Sequence, residues 1–353
     1  LGFAIDSDPW LRAAVWLGIG AFAVSLGLLV AVALVRMQLV ARVARERAFR
    51  ARWQPLLVAS VERVPDDLPP LAQRDGEFFL QLWNRMHDAL RGNAQLQLNE
   101  LARRVGADRI AARFVASRSL RRRLIGVLTL GQLRDRTALA AVDQLLADER
   151  PALSLAAAQA RLRIDAASGL GSVVDLAGRR EEWAIGKLVS MLRECDAVAV
   201  SIALGAAIEA ASKRSDAAVM TRLLRLAPTA HADVLRPAIR SALERATDPD
   251  ALAAALAALQ HPDDAALARA ALDHEHPVVR LQATKMLGRL GAREDVPRFV
   301  ALLSDPSWWV RYRSAQALVA APWLGPGELE HIRSGLADRF ALDMLAQAMA
   351  EPR

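Results

Sequence analysis

Two patterns of apolar positions divide this chain. From Ala13 to Val35 the sequence reads AAVWLGIGAFAVSLGLLVAVALV, without one charged residue. From Gly76 onward, apolar residues instead recur at spacings of three and four, one helix face at a time. The first pattern predicts a single helix of ~35 Å, enough to cross a ~30 Å hydrocarbon core with some tilt. The second predicts a succession of amphipathic helices. GEFFLQLWNRMHDAL (76–90) places Phe79, Leu82, Trp83, Met86 and Leu90 on a common face, and LQLNELARRVG continues around Leu96, Leu98, Leu101 and Val105. Between the two patterns, RVARERAFRARW extends the apolar helix. Residues 54–75 then read as a short helix and a linker broken at Pro65, Pro69 and Pro70. The expected organisation is an N-terminal tail (1–12), a transmembrane helix (13–35), a basic juxtamembrane helix with its linker (36–75), and a helical array (76–353).

The array repeats itself. Val279-Arg280 in HPVVRLQATKMLGRLG aligns with Val310-Arg311 in DPSWWVRYRSAQAL, which sets Ala283 on Ser314 and Leu287 on Leu318. Ala158 and Leu162 fall on the same two positions in LAAAQARLRI. In RRRLIGVLTLGQL, Arg123, Gly126 and Leu130 match Arg280, Ala283 and Leu287. The middle is less regular, with an insertion expected around GLGSVVDLAGRREEW (169–183). A helical period near thirty residues means stacked hairpins, each too small to bury its apolar face alone. Asp248-Pro249 and Asp305-Pro306 read as helix starts, an N-cap oxygen ahead of a proline in the first turn.

These motifs resemble the HEAT and HEAT-like repeats of α-solenoids, including the phycobilin-lyase type, best over 117–165 and 248–337. The resemblance implies an all-α solenoid of HEAT-like hairpins, and scaffolding through a curved surface rather than catalysis. With the apolar segment in front, the chain looks like the membrane-tethered HEAT-repeat proteins of bacteria. That likeness implies a membrane-associated protein partner, such as an envelope or exopolysaccharide glycosyltransferase complex.

Composition agrees with an all-α reading: 53% of residues are apolar, and tyrosine occurs once. Charge adds a direction. Asp6, Asp8 and Arg12 precede the apolar segment, whereas Arg36, Arg42, Arg45, Arg47, Arg50 and Arg52 follow it. The positive-inside rule therefore predicts a single-pass inner-membrane protein, N-terminus outside and solenoid in the cytoplasm. Trp10 and Trp16, with Arg36, Arg42, Arg45 and Arg47, are the expected interface residues. The competing reading is a secretory signal with Ala31-Val32-Ala33 as its cleavage pattern. The run is too long for that, and its basic flank is on the wrong side. Leu1 rather than methionine opens the sequence, which leaves room for residues ahead of it.

A second basic cluster lies at 103–136, where ten arginines face two aspartates. Its densest part, Arg118 with Arg121, Arg122 and Arg123, is a candidate partner surface. The alternative is a contact for nucleic acid or anionic lipid. A membrane tether gives poor access to a chromosome, which argues against nucleic acid. Trp308, Trp309 and Arg313 form the second candidate surface. Trp308 and Trp309 fall on opposite flanks of the face made by Val310, Ser314, Ala317 and Leu318, so one indole is expected to seal a seam between repeats and the other to be surplus.

Catalytic, cofactor and metal sites are not expected. The sequence lacks phosphate-binding, dinucleotide, zinc-protease and nucleophile-elbow motifs. His261, His274 and His276 near DHEHP (273–277) match no ligand spacing and read as turn caps. Cys195, the one cysteine, reads as a partly buried structural thiol. Some HEAT-like solenoids are DNA glycosylases. Trp308, Trp309, Trp323 and the arginines at 118–123 supply similar residue types, but no motif carries over.

Overall fold

The computed structural model describes residues 9–351, and all regular structure in that span is helical. Asp6 and Asp8, the expected acidic flank, lie outside the described residues. Eighteen α-helices follow one another among the described residues, and the chain divides into two compact units, Leu1–Ala138 and Leu139–Arg353.

In the first unit, helix α1 (Pro9–Ala59) is one continuous element of 51 residues. Its apolar stretch at 13–35 is exposed throughout, and further exposed apolar side chains follow at Met37, Leu39, Val40 and Val43. The last third of the same helix is a core element. Phe49, Trp53 and Leu57, at i, i+4 and i+8, are buried along one face. Phe49 approaches Phe78 at 6.0 Å between ring centroids, and Trp53 meets Phe79 edge-on at 5.0 Å. The short separate helix expected after residue 53 is therefore absent. Pro55 sits inside α1, where it forgoes one main-chain hydrogen bond, and the packing of Trp53 and Leu57 carries the helix across it. An irregular segment containing Pro65, Pro69 and Pro70 then leads to α2 (Gly76–Ala89).

Helices α3 (Asn93–Arg104), α4 (Ala107–Val115) and α5 (Leu120–Leu133) complete this unit. Phe79, Leu82 and Trp83 are buried as the pattern requires, and the Trp83 indole donates to the Leu98 carbonyl at 2.9 Å. Met86 and Leu90 are half-buried. Leu96 departs from expectation: it is 64% exposed, while Leu98 and Leu101 are buried. Two residues apart on a helix means about 200° of rotation, so Leu96 and Leu98 cannot share a face. Helices α4 and α5 pack closest at Gly126, where a Cβ would come within 2.6 Å of the Ala111 carbonyl oxygen. That approach explains glycine at a position filled by alanine or serine in the later repeats.

The second unit contains α6 (Leu139–Leu146), α7 (Pro151–Arg179), α8 (Ile185–Leu192), α9 (Ala197–Lys213), α10 (Ala217–Leu224), α11 (Ala232–Arg245) and α12 (Pro249–Ala258). It ends with α13 (Ala265–Ala271), α14 (Pro277–Leu290), α15 (Val296–Leu302), α16 (Trp308–Ala320), α17 (Pro326–Ser334) and α18 (Arg339–Ala350). The hairpins α13/α14, α15/α16 and α17/α18 stack so that α12, α14, α16 and α18 pack in succession. The aligned positions Ala158, Leu162, Ala283, Leu287, Ser314 and Leu318 are all buried, as shared helix-packing positions of a repeat must be.

Two local readings change. The segment expected as an insertion is the second half of α7, which bends at Asp165, where φ is −155° and ψ 85°. The Arg161 guanidinium spans the bend, donating to the Asp165 carbonyl at 2.7 Å and to Ser168 Oγ at 2.8 Å. Trp183, at the end of the same stretch, is fully buried and donates to Ser154 Oγ at 3.0 Å. At the helix starts, Asp248 caps α12 as expected, accepting from the Ala251 N–H at 2.9 Å. Asp305 does not cap α16, which begins three residues later with Ser307 at the N-cap. Its carboxylate accepts from the Ser307 N–H at 2.7 Å and serves a turn instead.

Candidate functional site

Buried ion pairs tie one hairpin to the next. Asp264 and Asp295, 31 residues apart, are both fully buried carboxylates at the N-termini of α13 and α15. Each is held by an arginine of an earlier helix: Arg236 bonds Asp264 at 2.9 Å, and Arg269 bonds Asp295 at 2.7 Å. Arg280 forms the third rung, donating to both carboxylate oxygens of Asp305. The hydrogen bonds to these aspartates raise all three guanidinium pKa values, against the opposing effect of burial. Arg222 differs. Burial lowers its pKa, and it donates to main-chain carbonyls of Ala177 and Trp183 rather than to a carboxylate. These are structural arginines, and the sequence pattern did not set them apart from surface ones.

The histidines do local work. His261 Nδ1 accepts from the Asp263 N–H at 3.2 Å, and His274 Nδ1 accepts from the His276 N–H at 3.0 Å. Both cap turns, as their spacing suggested. Cys195 is partly buried, and burial followed by the charge of Glu194 pushes its thiol pKa up. A protonated thiol is a poor nucleophile.

Two surface clusters remain, one in each unit. On α16, Trp308 and Trp309 are 42% and 58% exposed, so neither seals a seam. Their rings meet edge-on at 4.7 Å, and Trp308 also stacks on Tyr312 at 5.1 Å. Tyr312 donates to the Glu351 carboxylate at 3.0 Å, and that bond raises the phenol's pKa. Arg313 lies over the Tyr312 ring at 5.8 Å and donates to Gln316 Oε1 at 2.6 Å. The aromatic rings therefore brace one another within a single helix and still face outward.

In the first unit, the arginines that looked like two separate clusters meet at one carboxylate. Glu77, at the start of α2, lies 3.2 Å from Arg121, 3.3 Å from Arg122 and 3.8 Å from Arg42 of α1. Arg45 and Arg74 join Arg42, Arg122 and Glu77 around a pocket of about 240 Å³. Arg122 also rests over the Phe114 ring. Arg118 is exposed in the turn before α5, and Arg123 is half-buried. Arg36 and Arg47 are exposed on α1, as are Trp10 and Trp16 near its start.

Residues 265–351, which span α13 to α18, match the family model for HEAT repeats. The stacked hairpins of that span have the helix-pair architecture that such repeats share. The chain is also similar to an engineered protein solved by the Northeast Structural Genomics Consortium, at 14% identity and a TM-score of 0.34, over 83% of this chain and 87% of that one. No curated protein matches.

Proposed function

We propose that this protein is a membrane-anchored, non-enzymatic scaffold that binds a protein partner through its HEAT repeats. HEAT repeats typically serve protein interaction, and α1 carries an exposed apolar stretch long enough to span a bilayer. The arginines after that stretch favour a cytoplasmic location for the repeats, with the N-terminus outside.

The observation that carries the partner reading is the aromatic cluster on α16. Exposed Trp308 and Trp309, preassembled with Tyr312 and flanked by Arg313, combine the residue types that dominate interface energetics. Trp308 is already stacked in place, so binding would cost it little rotamer freedom. Arg118, exposed in the first unit, is the remaining partner contact in this reading.

The test is affinity purification from native membranes in mild detergent, comparing the wild type with Trp308→Ala/Trp309→Ala. A partner recovered stoichiometrically with the wild type and lost with the variant is the expected result. Equal recovery with both proteins, or no stoichiometric partner with either, counts against the reading. A polysaccharide-synthesising glycosyltransferase complex is the first candidate to look for in the eluate.

A further inference from the structure

We infer that the pocket around Glu77 is a binding site for the phosphate of an anionic lipid headgroup, built where the apolar helix leaves the bilayer. This rests on the membrane-anchor reading.

Charge is the first argument. Arg42, Arg45, Arg74 and Arg122 line the pocket, and Glu77 is its one carboxylate. Arg121 shares that carboxylate at 3.2 Å. Asp75 offsets part of this charge, but only distantly, at 4.0 Å from Arg74. One carboxylate cannot neutralise so many guanidinium groups, which repel one another more strongly the closer they are held. An anion bearing several acceptor oxygens relieves that repulsion, and guanidinium forks match phosphate geometry. The arginines are also posed for such a ligand. Arg122 is bonded to Glu77 and braced over Phe114, and Arg45 reaches back to the Ala41 carbonyl at 3.4 Å.

Position is the second argument, and it selects a lipid over a free anion. Arg42 lies seven residues beyond Val35 on one unbroken helix, about 10 Å along the axis. Exposed Met37, Leu39, Val40 and Val43 extend the apolar surface up to the pocket itself. The headgroup layer occupies roughly the outer 5–8 Å of each leaflet, so the Arg42 backbone lies just beyond it and its side chain can reach back to the phosphates, with Arg45 about one turn further out. A site at that level meets lipid phosphates at far higher local concentration than any soluble anion. Helices α2 and α5 supply Glu77 and Arg122, so an occupied pocket would also fix the first unit against the membrane rather than leave it on a free tether.

Native mass spectrometry of the full chain in a neutral detergent provides the test, with dioleoylphosphatidylglycerol, dioleoylphosphatidylcholine and inorganic phosphate added in separate arms. Phosphatidylglycerol should be retained in preference to phosphatidylcholine. Arg42→Gln/Arg122→Gln should weaken that retention by at least about tenfold, while Arg63→Gln/Arg91→Gln, which removes the same charge from exposed positions elsewhere, should not. Thermal melts should be the same for all three proteins. Equal retention in the pocket variant and the wild type overturns the site, as does equal loss in both variants. Displacement of phosphatidylglycerol by inorganic phosphate at equal concentration overturns the lipid assignment in favour of a soluble phosphate. The anchor is scored separately, by insertion of the wild type into phosphatidylcholine vesicles. If insertion fails, water-soluble dihexanoylphosphatidylglycerol still reports on the pocket, and no difference between wild type and Arg42→Gln/Arg122→Gln in that arm rejects the site outright.

Discussion

Arg280 donates two hydrogen bonds to the carboxylate of Asp305, at 2.8 and 2.9 Å, joining α14 to the turn that opens the next hairpin helix. The same guanidinium also donates to the main-chain carbonyls of His274 and Glu275. Arg311, one repeat later, makes the equivalent bond to the carbonyl of Asp305 at 2.9 Å. The Val-Arg pair shared by these two repeats thus has a physical reason. Valine fills the core, and arginine ties the preceding turn to its own helix. In Arg280 it also reaches the turn that follows. With both partners largely buried, Arg280→Ala leaves the Asp305 carboxylate without its counter-charge. A loss of about 3 kcal/mol is expected, measurable by urea unfolding. A double-mutant cycle with Asp305→Ala should show strong coupling, and additive losses would mean that the bidentate geometry contributes little.

Gly126 lies where α4 and α5 approach closely. Gly126→Ala would place a methyl group against the Ala111 carbonyl and the Val115 main-chain nitrogen. It should destabilise that unit by about 1–3 kcal/mol, despite the better helix propensity of alanine. A thermal melt that rises instead would show that α4 and α5 separate at low cost.

Cys195 should titrate late. Its folded-state pKa is raised, mainly by burial, so less thiolate is present at any given pH than in an exposed cysteine. Stability is unaffected by this group below the ordinary cysteine pKa. It falls as pH rises from there through the folded pKa, because the unfolded chain releases its proton first. The rate of alkylation by iodoacetamide should therefore climb at higher pH than for a free cysteine peptide. A profile matching the free peptide would contradict the burial argument.

Topology gives a fourth expectation. Alkaline phosphatase fused after Trp53 should be inactive, and green fluorescent protein fused at the same point should fluoresce, as a cytoplasmic location requires. An active phosphatase with a dark fluorophore would invert the proposed orientation.

Much of the fold could be read from the sequence because its signals are local. A helical period places Ala283 and Leu287, or Ser314 and Leu318, on one buried face without reference to any other segment. The apolar stretch at 13–35 is equally local. What could not be read depends on residues far apart in the chain. Arg42 and Arg122 are ordinary surface arginines until folding brings both to Glu77. Trp183 looked like part of an insertion because the bend at Asp165 shifts the phase of the repeat. Leu96 was misplaced for a simpler reason, since its spacing from Leu98 fits a strand rather than a helix face. The flank positions on α16 predicted one surplus tryptophan, whereas both are exposed, and the stacking of Trp308 on Tyr312 has no signature in the helix pattern.

Photocrosslinking in intact membranes tests the scaffold claim most directly. A photoreactive phenylalanine derivative replaces Trp309, with the exposed Lys213 position as control. The expected result is one dominant adduct with a membrane-fraction protein from position 309, absent from position 213. Adducts that are identical from the two positions, or none from position 309, would contradict a partner surface on α16.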